Sequence, residues 1–326
     1  MAFFRKGPGA DVPPESPALL FRDLRRDPSI KFLWGHQQQI LDAFKAGFIN
    51  QPDVALELPT GSGKTLVGLL VAEYRRRAEG LRSAFLCPTK QLAAQIHNAS
   101  QRYGTQTVLL VGPQAQWSAS DFTRYQRAQA VAVTTYSALF NTNPKLDDPE
   151  LLICDDAHAA DHFVGDLWTV RLKRDEHKEA FLALYRTVAP LLPEAIAGRI
   201  EHDAPAAGEV ELISTIALLE HGRIRETLDA IVPSTDQKYA YSQIVDYLHA
   251  CNFYVSASCF EIAPIVPPTR THAPFARAKQ RVYMSATLGD DGGLERSFGI
   301  TKLSRLPIPE GWDKRGTGRR LRQKSR

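Results

Sequence analysis

The first half of the chain alternates short apolar runs with longer stretches of helical periodicity. Strands are predicted at 54–58, 83–87, 107–111, 130–134 and 150–154, and helices at 64–79, 90–103 and, more briefly, 119–127. Before them, Ser16-Pro17 starts a short amphipathic segment through Leu20, Phe21 and Leu24, and Ile40, Leu41 and Phe44 share one face of a further helix. Such alternation predicts an α/β fold, a parallel sheet flanked by helices, with ligands at the carboxyl ends of its strands. From about 160 the pattern changes to helical stripes: Ala180-Phe181-Leu184-Tyr185, Val188-Leu191-Leu192, Ile213-Ile216-Ala217-Leu219 and Ile224-Leu228-Ile231. Strand-like runs return at Cys251 to Val255, Ser258 to Ile262 and Arg281 to Met284, interrupted by the proline-rich 264–274. The chain is accordingly divided into a leader and short helix (1–29), an α/β lobe (30–160), a mostly helical insertion (161–250), a return to the lobe (251–310) and a basic tail without periodic structure (311–326).

Composition narrows this picture only slightly. With 326 residues, 44% of them hydrophobic, the chain can fill one large domain or two ordinary ones. No run reaches ~18 uninterrupted apolar residues, and Met1 to Lys6 leads into glycine- and proline-rich sequence, so no membrane partner and a cytoplasmic location are expected. Cysteines occur at 87, 154, 251 and 259 with no zinc or disulfide spacing. Cys87 and Cys154 lie in apolar runs. Cys251 and Cys259 could pair, though a reducing cytosol favours free thiols. The net charge of +4 is uneven, because 313–326 holds seven basic residues and one acid, leaving the rest of the chain at −2. Nucleic-acid affinity of the folded body would have to come from a local groove, while the tail alone would give salt-sensitive, non-specific attachment.

Two strand ends carry the chemistry. Leu58-Pro59-Thr60-Gly61-Ser62-Gly63-Lys64-Thr65 lies between a strand and a helix. A glycine loop there lets backbone N–H groups wrap a polyphosphate, and the helix N-terminus adds partial positive charge. Lys64 would neutralise the β/γ-phosphates, and the Thr65 hydroxyl would hold Mg2+. Leu58 occupies the position where a phosphate loop usually opens with glycine. The second strand end is Ile153-Cys154-Asp155-Asp156-Ala157-His158, which offers two carboxylates at the rim of the same sheet.

With these and three further motifs in order, the chain resembles superfamily 2 helicases of the DEAD/DEAH box, and within them the XPD- and DinG-type group, over roughly residues 30 to 310. The resemblance implies a RecA-like motor lobe that binds ATP and Mg2+. It implies an adenine-reading role for Gln37, a phosphate cradle of Thr60, Gly61, Ser62, Gly63, Lys64 and Thr65, and metal contacts from Thr65 and Asp155. In the box, Asp155 would orient the metal shell, Asp156 would position the attacking water, and His158 would link nucleotide state to the nucleic-acid groove. The run Phe85 to Gln95 is similar to a motif that holds one strand by its phosphates, through Thr89, Lys90 and Gln95. Thr134 to Ser137 is similar to a second such motif, through Thr135 and Tyr136. Tyr283-Met284-Ser285-Ala286-Thr287-Leu288 is similar to the coupling motif, with Ser285 and Thr287 bonding the Asp box. The 126 residues between His158 and Ser285 match the group's inserted arch, which helps enclose single-stranded nucleic acid, DNA being favoured.

Three departures qualify the resemblance. Asp156 stands where glutamate is usual, so its carboxylate is one methylene shorter, and slow hydrolysis with intact ATP binding is expected. Only Cys87 and Cys154 lie between the loop and the box, so no iron–sulfur cluster is expected. The sequence ends about forty residues after Ser285-Ala286-Thr287, so a second RecA-like lobe is expected in trans or lost by truncation. The expected function is the N-terminal ATP-binding lobe of a DNA helicase or translocase, weak or inactive as an isolated ATP hydrolase. The alternative is a non-catalytic, ATP-gated nucleic-acid clamp or assembly subunit.

Overall fold

The protein's structure, a computed structural model, describes residues 14–202, 210–213, 223–288 and 292–309. Seven parallel strands form the larger sheet: β1 (Asp53–Glu57), β2 (Ser83–Cys87), β3 (Thr107–Leu109), β4 (Val131–Thr135), β5 (Leu151–Cys154), β10 (Gln280–Ser285) and β11 (Ser304–Arg305). Their order is β11-β1-β10-β5-β2-β4-β3, so the two motif-bearing strands β1 and β5 flank β10 at the centre. Every residue of β2, β4, β5 and β10 is buried, as expected of parallel strands covered on both faces.

Alternate residues serve two cores. Leu151 and Ile153 of β5, with Phe85, Val133 and Met284, pack beneath α1 (Pro17–Asp23), α2 (Gly35–Ala43), α3 (Lys64–Glu79) and α4 (Lys90–Tyr103). Leu152 and Cys154 point to the opposite face, whose core runs through Trp168, Phe181 and Phe260 into the inserted region. The helix starts are local: Ser16 Oγ accepts from the Leu19 N–H at 3.1 Å in α1, and Thr89 Oγ1 accepts from the Leu92 N–H at 3.2 Å in α4. No helix among the described residues is long and apolar enough to cross a membrane.

The inserted region differs from expectation. It contains the predicted helices at Lys178–Val188 and Ile224–Ile231, but also β6 (Val170–Lys173) and β7 (Glu211–Ile213). Ile213 ends a strand, and the rest of its stripe, 216 to 219, lies outside the described residues. Residues 251 to 264, expected to return to the lobe, form β8 (Cys251–Val255) and β9 (Cys259–Pro264) of a separate antiparallel sheet ordered β6-β9-β8-β7. The reason is amphipathicity. β8 and β9 alternate buried and half-buried residues, which suits a one-faced antiparallel sheet and not the doubly covered parallel one. Phe253, Val255, Phe260 and Ile262 fill its inner face, the Phe181 and Phe260 rings are 4.9 Å apart, and Arg171 Nε reaches Glu261 Oε2 at 2.7 Å across β6 and β9. The chain rejoins the large sheet only at Gln280. Cys251 sits opposite Pro264, whereas Cys259 lies by the β8–β9 turn, and no disulfide joins the two. The expected leader up to 13 and the basic tail lie outside the described residues.

Candidate nucleotide site and the surfaces around it

β1 and β10 run in register to Glu57 and Ser285, and the next N–H, of Leu58, donates to the Ser285 carbonyl at 2.9 Å. Leu58 is fully buried, so the residue in the unusual opening position anchors the loop to the core. Gly61 and Gly63 both have φ of +82°, and Gly63 caps the sixteen-residue α3 with no side chain capping its first turn. The Ser62 hydroxyl is buried without a hydrogen-bond partner. Two left-handed glycines, an uncapped long helix and an orphaned hydroxyl fit a polyphosphate anion. Thr65 follows Lys64 in the first turn of α3, and with Asp155 it is a candidate to hold Mg2+.

The Asp box follows β5. The Asp155 N–H donates to the Leu86 carbonyl at 2.9 Å, and its side chain is only 7% exposed. Burial, reinforced by the neighbouring Asp156 charge and opposed by Lys64, pushes the Asp155 carboxyl up to about 6. Asp156 is left-handed, with φ of +46°, a conformation that aspartate tolerates better than longer side chains. Lys64 Nζ lies 3.1 Å from Asp156 Oδ1, which closes the loop onto the box across the strand ends. His158 Nδ1 is 2.5 Å from Ser285 Oγ, and that hydroxyl also meets the Thr287 N–H at 3.3 Å and the Thr287 carbonyl at 3.1 Å. Ser285 thus touches His158 of the box. Thr287 contributes through its backbone.

Gln37 lies at the loop in a way that the sequence did not suggest. Its Oε1 accepts from the Trp34 N–H at 3.0 Å, its Nε2 donates to the Ser62 carbonyl at 2.9 Å, and it is 4% exposed. His36, absent from the expected site, places Nε2 2.8 Å from the same carbonyl. Adjacency to Gln37 was the only signal for it. Beside them a cleft of about 440 Å³ is lined by Phe32, Trp34, Gln37, Gly61, Gly63 and Tyr103.

Of the expected nucleic-acid residues, Thr89, Lys90 and Gln95 are exposed at the start and on the outer face of α4. Thr135 ends β4 and is largely buried. Tyr136 is a correction. It is completely buried, its hydroxyl donates to the Asp155 carbonyl at 2.8 Å, and burial pushes its phenol well above the usual range. An aromatic ring in that position braces the Asp box and cannot lie on a backbone track. Ser137, the next residue, is the exposed one.

A helix-flanked parallel sheet with a glycine loop and paired acids at the ends of the two strands that flank β10 has the RecA-like architecture of the phosphate-loop fold. Residues 34–184 match the DEAD/DEAH box helicase family model. A curated relative, the ATP-dependent DNA helicase Hel308 of Thermococcus kodakarensis, is 26% identical over 119 residues, which are 36% of this chain and 11% of that protein. Two solved structures of XPD, one apo and one described as the XPD helicase, share 18% and 15% identity, with TM-scores of 0.48 and 0.49. They match 83% and 85% of this chain, which spans 57% and 62% of theirs.

Proposed function

We propose that this chain is the ATP- and Mg2+-binding lobe of an ATP-dependent nucleic-acid helicase or translocase. The observation that carries the reading is the 3.1 Å approach of Lys64 Nζ to Asp156 Oδ1, which brings the glycine loop and the Asp box into one site. In this reading the N–H groups of the loop and of α3 orient the triphosphate, and Lys64 exchanges Asp156 for phosphate oxygens. Asp156, once released, orients the attacking water. Mg2+, when bound, would neutralise developing phosphate charge. Ser285, bonded to His158, transmits the state of the site toward β10, while Thr89, Lys90 and Gln95 offer an exposed edge to a single strand. A DNA helicase among the relatives favours DNA, and a cytoplasmic setting belongs to the same reading. The resemblance supports a second RecA-like lobe opposite this site, supplying charge at the transition state.

Asp156 favours a second reading, an ATP-gated clamp without useful hydrolysis, because its shorter side chain stands where an ångström of misplacement can cost ~100-fold in rate. Single-stranded-DNA-stimulated ATPase, measured with any partner lobe present, separates the two. Activity in the wild type that is lost in Lys64→Ala supports the motor. No hydrolysis by wild type or Asp156→Glu, with ATP still altering strand affinity, supports the clamp. Failure of wild type to bind any nucleotide ends both.

A further inference from the structure

We propose that Tyr136 makes the inserted antiparallel sheet answer to the nucleotide state of the Asp box, through a buried run of aromatic rings that ends on Trp168. The inference rests on the nucleotide-binding reading above and adds to it a route out of the site besides Ser285. The run starts at the box itself, where the Tyr136 hydroxyl donates to the Asp155 carbonyl at 2.8 Å. The Tyr136 ring stacks on Phe163 of the short helix Asp161–Gly165, with centroids 6.4 Å apart and planes at 12°, and it also meets Phe298 at 6.4 Å. Phe298 packs on Tyr283 of β10 at 4.8 Å and on Phe275 at 6.0 Å. Phe275 reaches Phe140 at 5.5 Å, and Phe140 reaches Trp168 at 6.3 Å. Trp168 stands two residues before β6, the strand by which the chain enters the second sheet.

Two observations make this run a switching element as well as a core. Tyr136, Phe140, Trp168, Phe275 and Phe298 are all buried. A close-packed interior does not deform continuously, so the displacement of one ring is passed to its neighbours or refused. Trp168 Nε1 is buried with no hydrogen-bond partner among the described residues. An unpaired buried donor costs free energy, which a second placement of the indole can recover, and the present packing therefore has a competitor. Nucleotide supplies the bias between the two. A ligand shifts such an equilibrium only through contacts that differ between its states, and here the difference is the Lys64–Asp156 pair, closed at 3.1 Å without nucleotide and exchanged for phosphate with it. Once that tie is released, the Asp155 main chain can move, and the Tyr136 hydroxyl is bonded to it.

The test is fluorine NMR of the full chain labelled with 5-fluorotryptophan. Replacing Trp34, Trp117 and Trp312 in turn with phenylalanine assigns their signals and leaves that of Trp168 by difference. Spectra are compared without nucleotide and with Mg2+ and a non-hydrolysable ATP analogue, at concentrations shown by titration to saturate each variant. In wild type the Trp168 signal should shift or split on saturation, while that of Trp117, which is outside the run, should stay. In Tyr136→Phe, which keeps the ring and loses the hydroxyl, most of the Trp168 response should vanish although the site is filled. Hydrogen exchange in β8 and β9, read by mass spectrometry, should lose its nucleotide dependence in the same variant. An unmoved Trp168 signal in saturated wild type, or an undiminished response in Tyr136→Phe, overturns the inference and leaves the nucleotide site standing. If Tyr136→Phe does not fold, Phe163→Leu, which removes the stacked ring and keeps the hydroxyl bond, is read by the same two outcomes. No nucleotide binding by wild type sinks the nucleotide site itself, and the inference with it.

Discussion

Replacing Gly63 with alanine should damage the protein more than the same change at Gly61, although the two glycines share a backbone conformation. Each has φ of +82°, so each alanine bears a left-handed penalty of about 1–2 kcal/mol. At Gly61 nothing lies within 4 Å of the new Cβ, and the penalty ends there. At Gly63 the Cβ would stand 2.2 Å from Gln37 Nε2, so the amide must leave. Its departure removes the bonds to the Ser62 carbonyl and the Trp34 N–H. Each is worth about 0.5–1.5 kcal/mol net, bringing Gly63→Ala to about 2–5 kcal/mol. Urea unfolding followed by circular dichroism measures the two costs, and binding of a fluorescent nucleotide registers any part confined to the loop. In a Gln37→Ala background the extra penalty should vanish, leaving Gly63→Ala no worse than Gly61→Ala, as a double-mutant cycle would show. Equal costs for the two glycine variants in the wild-type background, by both measurements, would refute the claim that Gln37 is packed against the loop.

Ser285→Ala removes the hydroxyl shared by His158 and the Thr287 N–H, so nucleotide affinity should hold while stimulation of ATPase by single-stranded DNA falls by roughly tenfold, the equivalent of one lost hydrogen bond. Unchanged stimulation would remove Ser285 from the coupling path. Tyr136→Phe deletes only the bond to the Asp155 carbonyl, and should lower stability by about 0.5–1.5 kcal/mol without weakening single-strand binding, which fluorescence anisotropy can check. His272 is held below its ordinary value of 6.5 by burial, against the opposing effect of its bond to the Leu139 carbonyl, and it faces the Phe140 and Trp168 rings. The folded state therefore keeps it neutral. Its contribution is fully present above the ordinary value and is lost as the pH falls below it, where the unfolded chain takes up the proton first. Melting temperatures measured downward from neutral pH should fall, and His272→Gln should flatten that slope.

What was legible in the sequence was what local chemistry dictates. The starts of α3 and α4 coincide with expectation because Gly63 before Lys64 and Thr89 before Lys90 are decisive boundary residues, and the continuous apolar runs of β2 and β5 admit few other uses. The second sheet was hidden for a different reason. β6 and β7 are four and three residues long, too brief for a period of two to emerge, and a strand does not announce its partner. Arg171 and Glu261 are ninety residues apart, and only folding shows that their ion pair joins β6 to β9.

Tyr136 and Gln37 show the same division. Tyr136 and Gln37 were judged by the polar groups they could offer a ligand, but a polar side chain at a strand end or beside a loop first has to satisfy the protein's own backbone. Tyr136 meets the Asp155 carbonyl, and Gln37 meets both the Trp34 N–H and the Ser62 carbonyl. Leaving such buried groups unpaired costs about 1–3 kcal/mol each, comparable to what a ligand contact returns. A motif residue is freest to meet a ligand where the backbone around it is satisfied by other means. At the Asp box, where the Asp155 N–H is already bonded to the Leu86 carbonyl and the two carboxylates are left beside a single lysine, that condition is met.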